Sequence, residues 1–492
     1  MAAGGFPPLF ISVWGGKEPL LSWLSGLCQG LLGMVDPVVA GRLPALLGGA
    51  VALAALVVVG RWLFSPAVAY LGGLLYLLWP FALLFNVQLQ ADSLMVGEAA
   101  LMAVAALSIR RGGGWLPVVG LTLAFAAAML TKSSALLYLL ALPGLLLARP
   151  ATAGANLRRP AVRLAIAVLA GYLIYYAVFG RTRYAADVAQ YNSIYVLPIS
   201  ELLFLPLDRW LANVRFLAEN ALGLLGVLPA LLAATALAWA WSRGGPARGL
   251  AIWIMVPLGL HLLVGTGLFA RYFAPALPWL ALLSAAALAA GFHHLRARWP
   301  RERTGSPRVR VAGLAAGMIL LLAQPASTSL RLLADPVWTI ERGYTHDFGA
   351  VLAELRQELR RQATQGPVVL LIYRGQGPLE DGSWVFLDRE PGLRLLYLAP
   401  GVDGRLISGP GVPPSADLVA YDPTTGEGVP ARLLPRERVY FVGGDGRNPP
   451  PGTVGHVEPV VTFTGLAGTH PLTLFRPTWD AAYWDGAGLV VQ

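Results

Sequence analysis

The chain has 492 residues, 56% of them hydrophobic and only 13% charged, with a mean hydropathy of +0.60. That is far more apolar than a soluble globular protein, and the single cysteine, Cys28, excludes an intramolecular disulfide and any cysteine-ligated metal cluster. The formal charge of +10 does not mark a nucleic-acid binder, because much of it lies in short loops between apolar runs.

Met1–Gly16 has no basic n-region, so no cleavable signal peptide is expected there. The segment Gly16–Leu46 follows, with Lys17 and Glu18 ahead of an uncharged apolar run and Arg42 at the mouth of the next. Cys28, inside that run, reads as a small buried hydrophobe. Ten apolar runs of spanning or near-spanning length lie near 43–63, 66–85, 93–109, 115–131, 133–148, 164–180, 216–241, 249–267, 272–290 and 311–325. The short, nearly fused runs at 115–131 and 133–148 predict a tight helical hairpin. An eleventh candidate, 19–35, is uncharged but holds several small and polar residues.

Charge orients these runs. Alternate loops carry Arg61; Arg110 and Arg111; Arg149, Arg158, Arg159 and Arg163; Arg243 and Arg248; and Arg296, Arg298, Arg301, Arg303, Arg308 and Arg310. The other loops are poorer in basic residues. The positive-inside rule puts the arginine-rich set in the cytoplasm, and Lys17, Asp92, Lys132, the 181–215 loop and Arg271 on the outer face.

Beyond Ala326 the chain becomes richer in charge, glycine and proline. Apolar residues at Phe348, Val351, Leu352, Leu355 and Leu359 predict an amphipathic helix over 346–363. Strand-like runs follow at 368–373, 393–398, 438–443, 460–463 and 472–475, with a glycine- and proline-rich loop between Pro400 and Pro430. The fold class expected is a polytopic α-helical membrane protein of about 10 to 11 spans with a C-terminal extracytoplasmic α/β domain. Its boundaries are 1–39 for a partial outer loop with an interfacial helix, 40–326 for the membrane core and 327–492 for the soluble domain.

Ionisable groups near membrane depth are the functional candidates. Asp92, at the outer start of a span, reads either as a helix N-cap or as a partly desolvated reactive carboxylate. Glu98, six residues on, faces elsewhere and reads as a partner for a neighbouring helix. Lys17 is an interfacial anchor or a phosphate contact, and Lys132 snorkels from the turn of the expected hairpin or faces the site. Adjacent Arg271 and Tyr272 suit an interfacial belt, or a phosphate grip beside a sugar- or lipid-packing ring. His261 reads as a hydrogen-bonded interior histidine, since no second histidine has ligand spacing. No glycine-rich phosphate loop, HExxH or GxSxG occurs. A nucleotide-independent enzyme with a lipid-borne substrate remains.

Four ordered segments carry a resemblance: GKEPLLSWL with the following GRLPALLGG, WPFALLFNVQLQADSL, LTLAFAAAMLTKSSALL, and RYFAPALPWLALL. Together they resemble the GT-C class of membrane glycosyltransferases, in particular the bacterial dolichyl-phosphate-mannose–protein mannosyltransferase-like group with the aminoarabinose transferases and RgtA-like enzymes. The resemblance covers roughly residues 10–326. It implies sugar transfer from a polyprenyl-phosphate carrier to a lipid, glycan or protein acceptor at the outer face of the cytoplasmic (inner) membrane. No nucleotide cofactor and no nucleic-acid partner are expected, and a divalent-metal requirement is left open. Mapped by motif, Asp92, Lys17 and Arg271 would be catalytic, with the two cations facing phosphate. Tyr272, Arg42, Lys132 and Glu18 would bind substrate. Glu18 stands where the family has proline. The family's first span and its acidic pair lie upstream of the first motif, so the favoured expectation is a start inside the first outer loop; an inactive relative, or a base supplied by Glu18 or Asp92, stands beside it. Two other readings stand beside the enzyme: a catalytically inactive GT-C-like scaffold, and a transporter or flippase, which the lack of an internal repeat disfavours.

Overall fold

A computed structural model describes residues 18–32, 37–86, 90–148, 157–193, 195–298, 307–334 and 348–364, and seven strands between residues 368 and 477. They divide into two compact units, Pro8–Leu333 and Ala334–Gln492.

The first unit is built from helices α1 (Leu20–Leu31), α2 (Pro37–Leu63), α3 (Pro66–Leu78), α4 (Pro80–Asn86), α5 (Ala91–Arg110), α6 (Leu116–Thr131), α7 (Leu136–Leu147), α8 (Arg158–Tyr175), α9 (Arg183–Ser193), α10 (Ile199–Leu203), α11 (Leu207–Leu225), α12 (Val227–Arg243), α13 (Gly245–Val264), α14 (Leu277–Arg298) and α15 (Pro307–Ala334). Val39–Leu63, Ala91–Arg110, Arg158–Gly180, Gly245–Val264 and Ala270–His294 are long and apolar enough to cross a membrane, and the pair α3 and α4 qualifies as one bent span. Every apolar run read from the sequence falls on helix, but Leu116–Thr131, Ser133–Leu147 and Val227–Arg243 are shorter than a full crossing. At 12 residues, α1 is shorter still. It is about 18 Å long against a hydrocarbon core of about 30 Å, and it lies against α2 and α6.

α5 is the axis of this unit. Sixteen of its 20 residues are buried, and α2, α6, α7 and α8 pack around it. Small residues set the closest approach: a Cβ on Gly97 would sit 2.6 Å from the Gly48 carbonyl oxygen of α2. Such backbone proximity is how helices associate where no water drives them together.

Three local readings change. The runs at 115–131 and 133–148 do not fold back as a hairpin: α6 packs on α5 and α8, while α7 packs on α13. The run at 216–241 is two helices, because Gly226 adopts φ +87° between α11 and α12, a backbone state that favours glycine. Cys28 is half-buried rather than buried. A further break separates α3 from α4, which meet at 67°. Pro80 has no N–H to continue the helix, and it forces Trp79 into an extended conformation (ψ 124°).

The second unit pairs the amphipathic helix Phe348–Ala363 with a five-stranded mixed sheet. The strands are β1 (Val368–Tyr373), β2 (Leu393–Leu398), β3 (Ala420–Tyr421), β4 (Gly428–Val429), β5 (Val439–Val442), β6 (Val457–Phe463) and β7 (Leu472–Pro477). The sheet order is β2-β1-β5-β7-β6. β1 runs parallel to β2 and β5, and β7 antiparallel to β5 and β6. Leu355 and Leu359 are fully buried, as the helical period requires. β3 and β4 form a small antiparallel ribbon inside the stretch read as loop.

Candidate active site

A cluster of polar residues of the first unit gathers at the N-terminal end of α5. Gln90 precedes the helix in extended conformation and makes no side-chain cap. Asp92 is therefore not the N-cap that one reading assigned to it: it lies in the first turn, where the helix dipole favours a carboxylate, and its oxygens leave the helix. Lys132 terminates α6 with φ −163° and ψ 129°, a cation at a helix C-terminus. Arg271 and Tyr272 lie on the short 3-10 segment Ala270–Ala276 that leads into α14. Pro275 and Pro278, lacking N–H groups, suit such a helix start.

These elements converge on Asp92, which is 5% exposed. Lys132 Nζ lies 2.5 Å from Asp92 Oδ1, and Arg271 Nε lies 3.5 Å from Oδ2. The first is a short charge-assisted hydrogen bond; the second is too long for one and acts as an ion pair. Lys132 Nζ also sits 4.1 Å from the centre of the Tyr272 ring, and the Arg271 guanidinium 4.3 Å from that of Phe269, both within cation–π range. One carboxylate thus holds two cations against aromatic faces, leaving the trio with a net charge of +1.

A second tier supports it. His261 of α13 packs against Tyr272 with ring centres 4.9 Å apart and the planes tilted by 38°, and its Nδ1 lies 2.8 Å from the Pro257 carbonyl. A carbonyl only accepts, so Nδ1 carries the proton. Ser133 N–H donates to Glu18 Oε1, and Asn192 Nδ2 donates to Ser133 Oγ over 3.0 Å. Glu18 is 4% exposed, and burial pushes its carboxyl above the ordinary range. Thr131 Oγ1 donates to Glu98 Oε1 over 2.7 Å, so Glu98 does pair with a neighbouring helix. The segment after α9 crosses the rim: Val196 bridges Gly265, and Tyr195 meets Phe269 edge-on at 5.9 Å.

The structure thus brings Asp92, Lys132, Arg271, Tyr272 and Glu18 into one cluster. Arg42 is exposed on α2, apart from these contacts, and Lys17 lies outside the described residues. His261 is the hydrogen-bonded interior histidine expected from the sequence, while sequence reasoning did not single out Ser133 or Asn192. One signal went unused: of 37 basic residues, only Lys17 and Lys132 are lysine. A chain that otherwise uses arginine keeps the compact ammonium in two of its motifs, and the two side chains are not interchangeable. Among the described residues no three His, Cys, Asp or Glu side chains group to hold a metal ion, and both Asp92 oxygens face cations instead. Arginine marks the other end of the bundle, where Arg110 donates to the Leu146 carbonyl and Arg111 lies over Trp62.

The first unit is thus a helical core with membrane-length apolar helices and, at one rim, a buried carboxylate held by two cations. The sequence model of the dolichyl-phosphate-mannose-protein mannosyltransferase family matches residues 16–181. The fold is similar to that of ArnT from Cupriavidus metallidurans in the apo state, with a TM-score of 0.50 and 18% identity over 78% of this chain and 75% of that one. ArnT bound to undecaprenyl phosphate matches at TM-score 0.45 and 16% identity over 78% of this chain and 76% of that one. The oligosaccharyltransferase AglB from Archaeoglobus fulgidus, in complex with an inhibitory peptide and a dolichol-phosphate, matches at TM-score 0.45 and 13% identity over 87% of this chain and 61% of that one. No protein of curated function matches in sequence. The family model thus matches the first third of the chain, and the fold is similar to that of ArnT.

Proposed function

We propose that this protein transfers a sugar from a polyprenyl-phosphate carrier to a lipid, glycan or protein acceptor at the outer face of the cytoplasmic membrane. The observation that carries the reading is the Asp92 carboxylate held between Lys132 and Arg271 at one end of a buried helix. In the transfer, the bond between the sugar's anomeric carbon and a phosphate oxygen breaks, and a bond to the acceptor oxygen forms. The acceptor proton passes to a base and the lipid phosphate departs with the negative charge. Arg271 and Lys132 face that charge, a stabilisation that grows as the bond breaks. Asp92 holds the two cations and orients the acceptor hydroxyl, while Tyr272 packs against the sugar. Lys17 is assigned a second phosphate contact and Arg42 a flanking one. With the arginine-rich end of α5 in the cytoplasm, the cluster and the C-terminal unit fall outside.

The test uses the full chain in proteoliposomes with synthetic polyprenyl-phosphate sugars, following release of the free lipid phosphate. Wild type is expected to release it and Arg271→Ala to lose most of that release at equal amounts of folded protein. Undiminished release by Arg271→Ala, or none by wild type across donors, overturns the reading. The second outcome favours the scaffold.

A further inference from the structure

The turn that carries Lys132 is held at every residue. From Thr131 to Ser134, four consecutive side chains or amides each meet a partner from another element. Thr131 donates to Glu98 of α5, and Lys132 to Asp92 of the same helix. The Ser133 amide donates to Glu18 ahead of α1, and Asn192 of α9 donates to the Ser133 hydroxyl. Ser134 Oγ points at Met95 Sδ, 3.8 Å away on α5. Two of these partners are carboxylates with no cation in hydrogen-bond contact among the described residues, and both are buried: Glu98 at 6% exposure and Glu18 at 4%. Glu98 Oε2 has no hydrogen-bond partner among the described residues.

We infer that Glu98, through Thr131, and Glu18, through Ser133, are positioning residues that fix the Lys132 ammonium against Asp92 and Tyr272. A buried carboxyl group given to neutral donors, the Thr131 hydroxyl for Glu98 and the Ser133 amide and hydroxyl with its own amide for Glu18, is a costly way to join helices, since burial penalises its charge. An apolar pair would join them at less cost. What the carboxyls supply is direction. A threonine hydroxyl at a helix end ordinarily bonds back to a carbonyl of its own helix, whereas here it is drawn sideways to α5, immediately before the residue whose long stem needs aiming. Glu18 does the same one residue after Lys132. A substrate-facing cation on a flexible four-carbon chain gains most from such preorganisation. The inference rests on the proposed role of Lys132, yet its contacts are testable without activity.

Because the chain has two lysines, Lys17 and Lys132, acetylation at limiting reagent followed by peptide mass spectrometry reads Lys132 directly against an isotopically labelled wild-type standard. Thr131→Val removes the donor at constant shape, and Glu18→Ala removes the acceptor. Each is expected to raise Lys132 labelling about 5-fold, the scale of one lost hydrogen bond. Each also raises KM for the polyprenyl-phosphate sugar by a similar factor, with kcat changed less. Thr131→Ser and Glu98→Gln keep the hydrogen bonds and are expected to stay within about 2-fold of wild type in both readouts, and Glu18→Gln in Lys132 labelling. Wild-type labelling and KM in both Thr131→Val and Glu18→Ala overturn the inference, as does equal behaviour of the conservative and disruptive variants. Faster Lys132 labelling in a chain that transfers no sugar upholds the positioning and refutes the proposed function. Unchanged labelling in an active chain does the reverse.

Discussion

Replacing Asp92 by asparagine removes one charge at nearly constant shape, and the geometry sets the size of the effect. The Lys132 contact is 2.5 Å long and the lysine side chain 19% exposed, so it counts as a full charge-assisted hydrogen bond of about 1.5–3 kcal/mol. The Arg271 contact, at 3.5 Å and 30% exposed, is screened and adds about 0.5–1 kcal/mol. Together they amount to about 2–4 kcal/mol, or roughly 30- to 1,000-fold in kcat/KM. The assay is the initial rate of lipid-phosphate release in proteoliposomes, normalised to folded protein by size exclusion. A variant within about 3-fold of wild type, equally folded, would refute the reasoning that Asp92 organises the two cations.

Lys132→Arg preserves charge but puts a planar fork where an ammonium sits over the Tyr272 ring. It is expected to lower kcat/KM about 10-fold or more, and wild-type kinetics would show that only charge matters there. Gly97→Val places a branched side chain where even a Cβ meets the Gly48 carbonyl at 2.6 Å. A thermal-unfolding assay should find it less stable by about 1–3 kcal/mol, and an unchanged midpoint would contradict the close packing of α2 on α5. Burial raises the Glu18 carboxyl, with Lys132 pulling the other way more weakly. A raised acid contributes stability fully below its unfolded value of about 4.3 and loses it as pH climbs through the folded value. Glu18→Gln, which keeps the acceptor for Ser133, should therefore gain in unfolding temperature relative to wild type as pH rises above the unfolded value of about 4.3. A shrinking gap over that range counts against the buried position of Glu18.

The helices were legible because apolar runs in a bilayer protein have few alternatives, and the strands at 368–373 and 393–398 because their runs are β-branched or leucine-rich and bounded by glycine. Breaks were harder to see. No charged residue lies between Glu219 and Arg243 to mark an end at Gly226, and only its positive φ divides α11 from α12. The bend before Pro80 had a visible cause, yet the run on both sides stays apolar, so hydropathy carried straight through it. The order of motifs pointed to Asp92, Lys132, Arg271 and Tyr272 separately. That Asp92 faces the other three depends on α5, α6 and the start of α14 meeting at one end, a tertiary fact that spacing along one chain does not contain. For the same reason Asn192 and Ser133 escaped notice, being polar residues in polar surroundings.

The burial of α5 bears on how the protein tolerates different membranes. Of the window that would cross the bilayer, 78% is buried inside the protein for Ala91–Arg110 but only 22% for Arg158–Gly180. Hydrophobic mismatch acts on surfaces that touch lipid, so a thicker or thinner bilayer tilts α8 before it displaces α5. The depth of Asp92 is then referenced to α2 through the Gly48–Gly97 approach rather than to the headgroups. Outer helices absorb the mechanical strain, and the polar rim keeps its geometry across bilayers of unequal thickness.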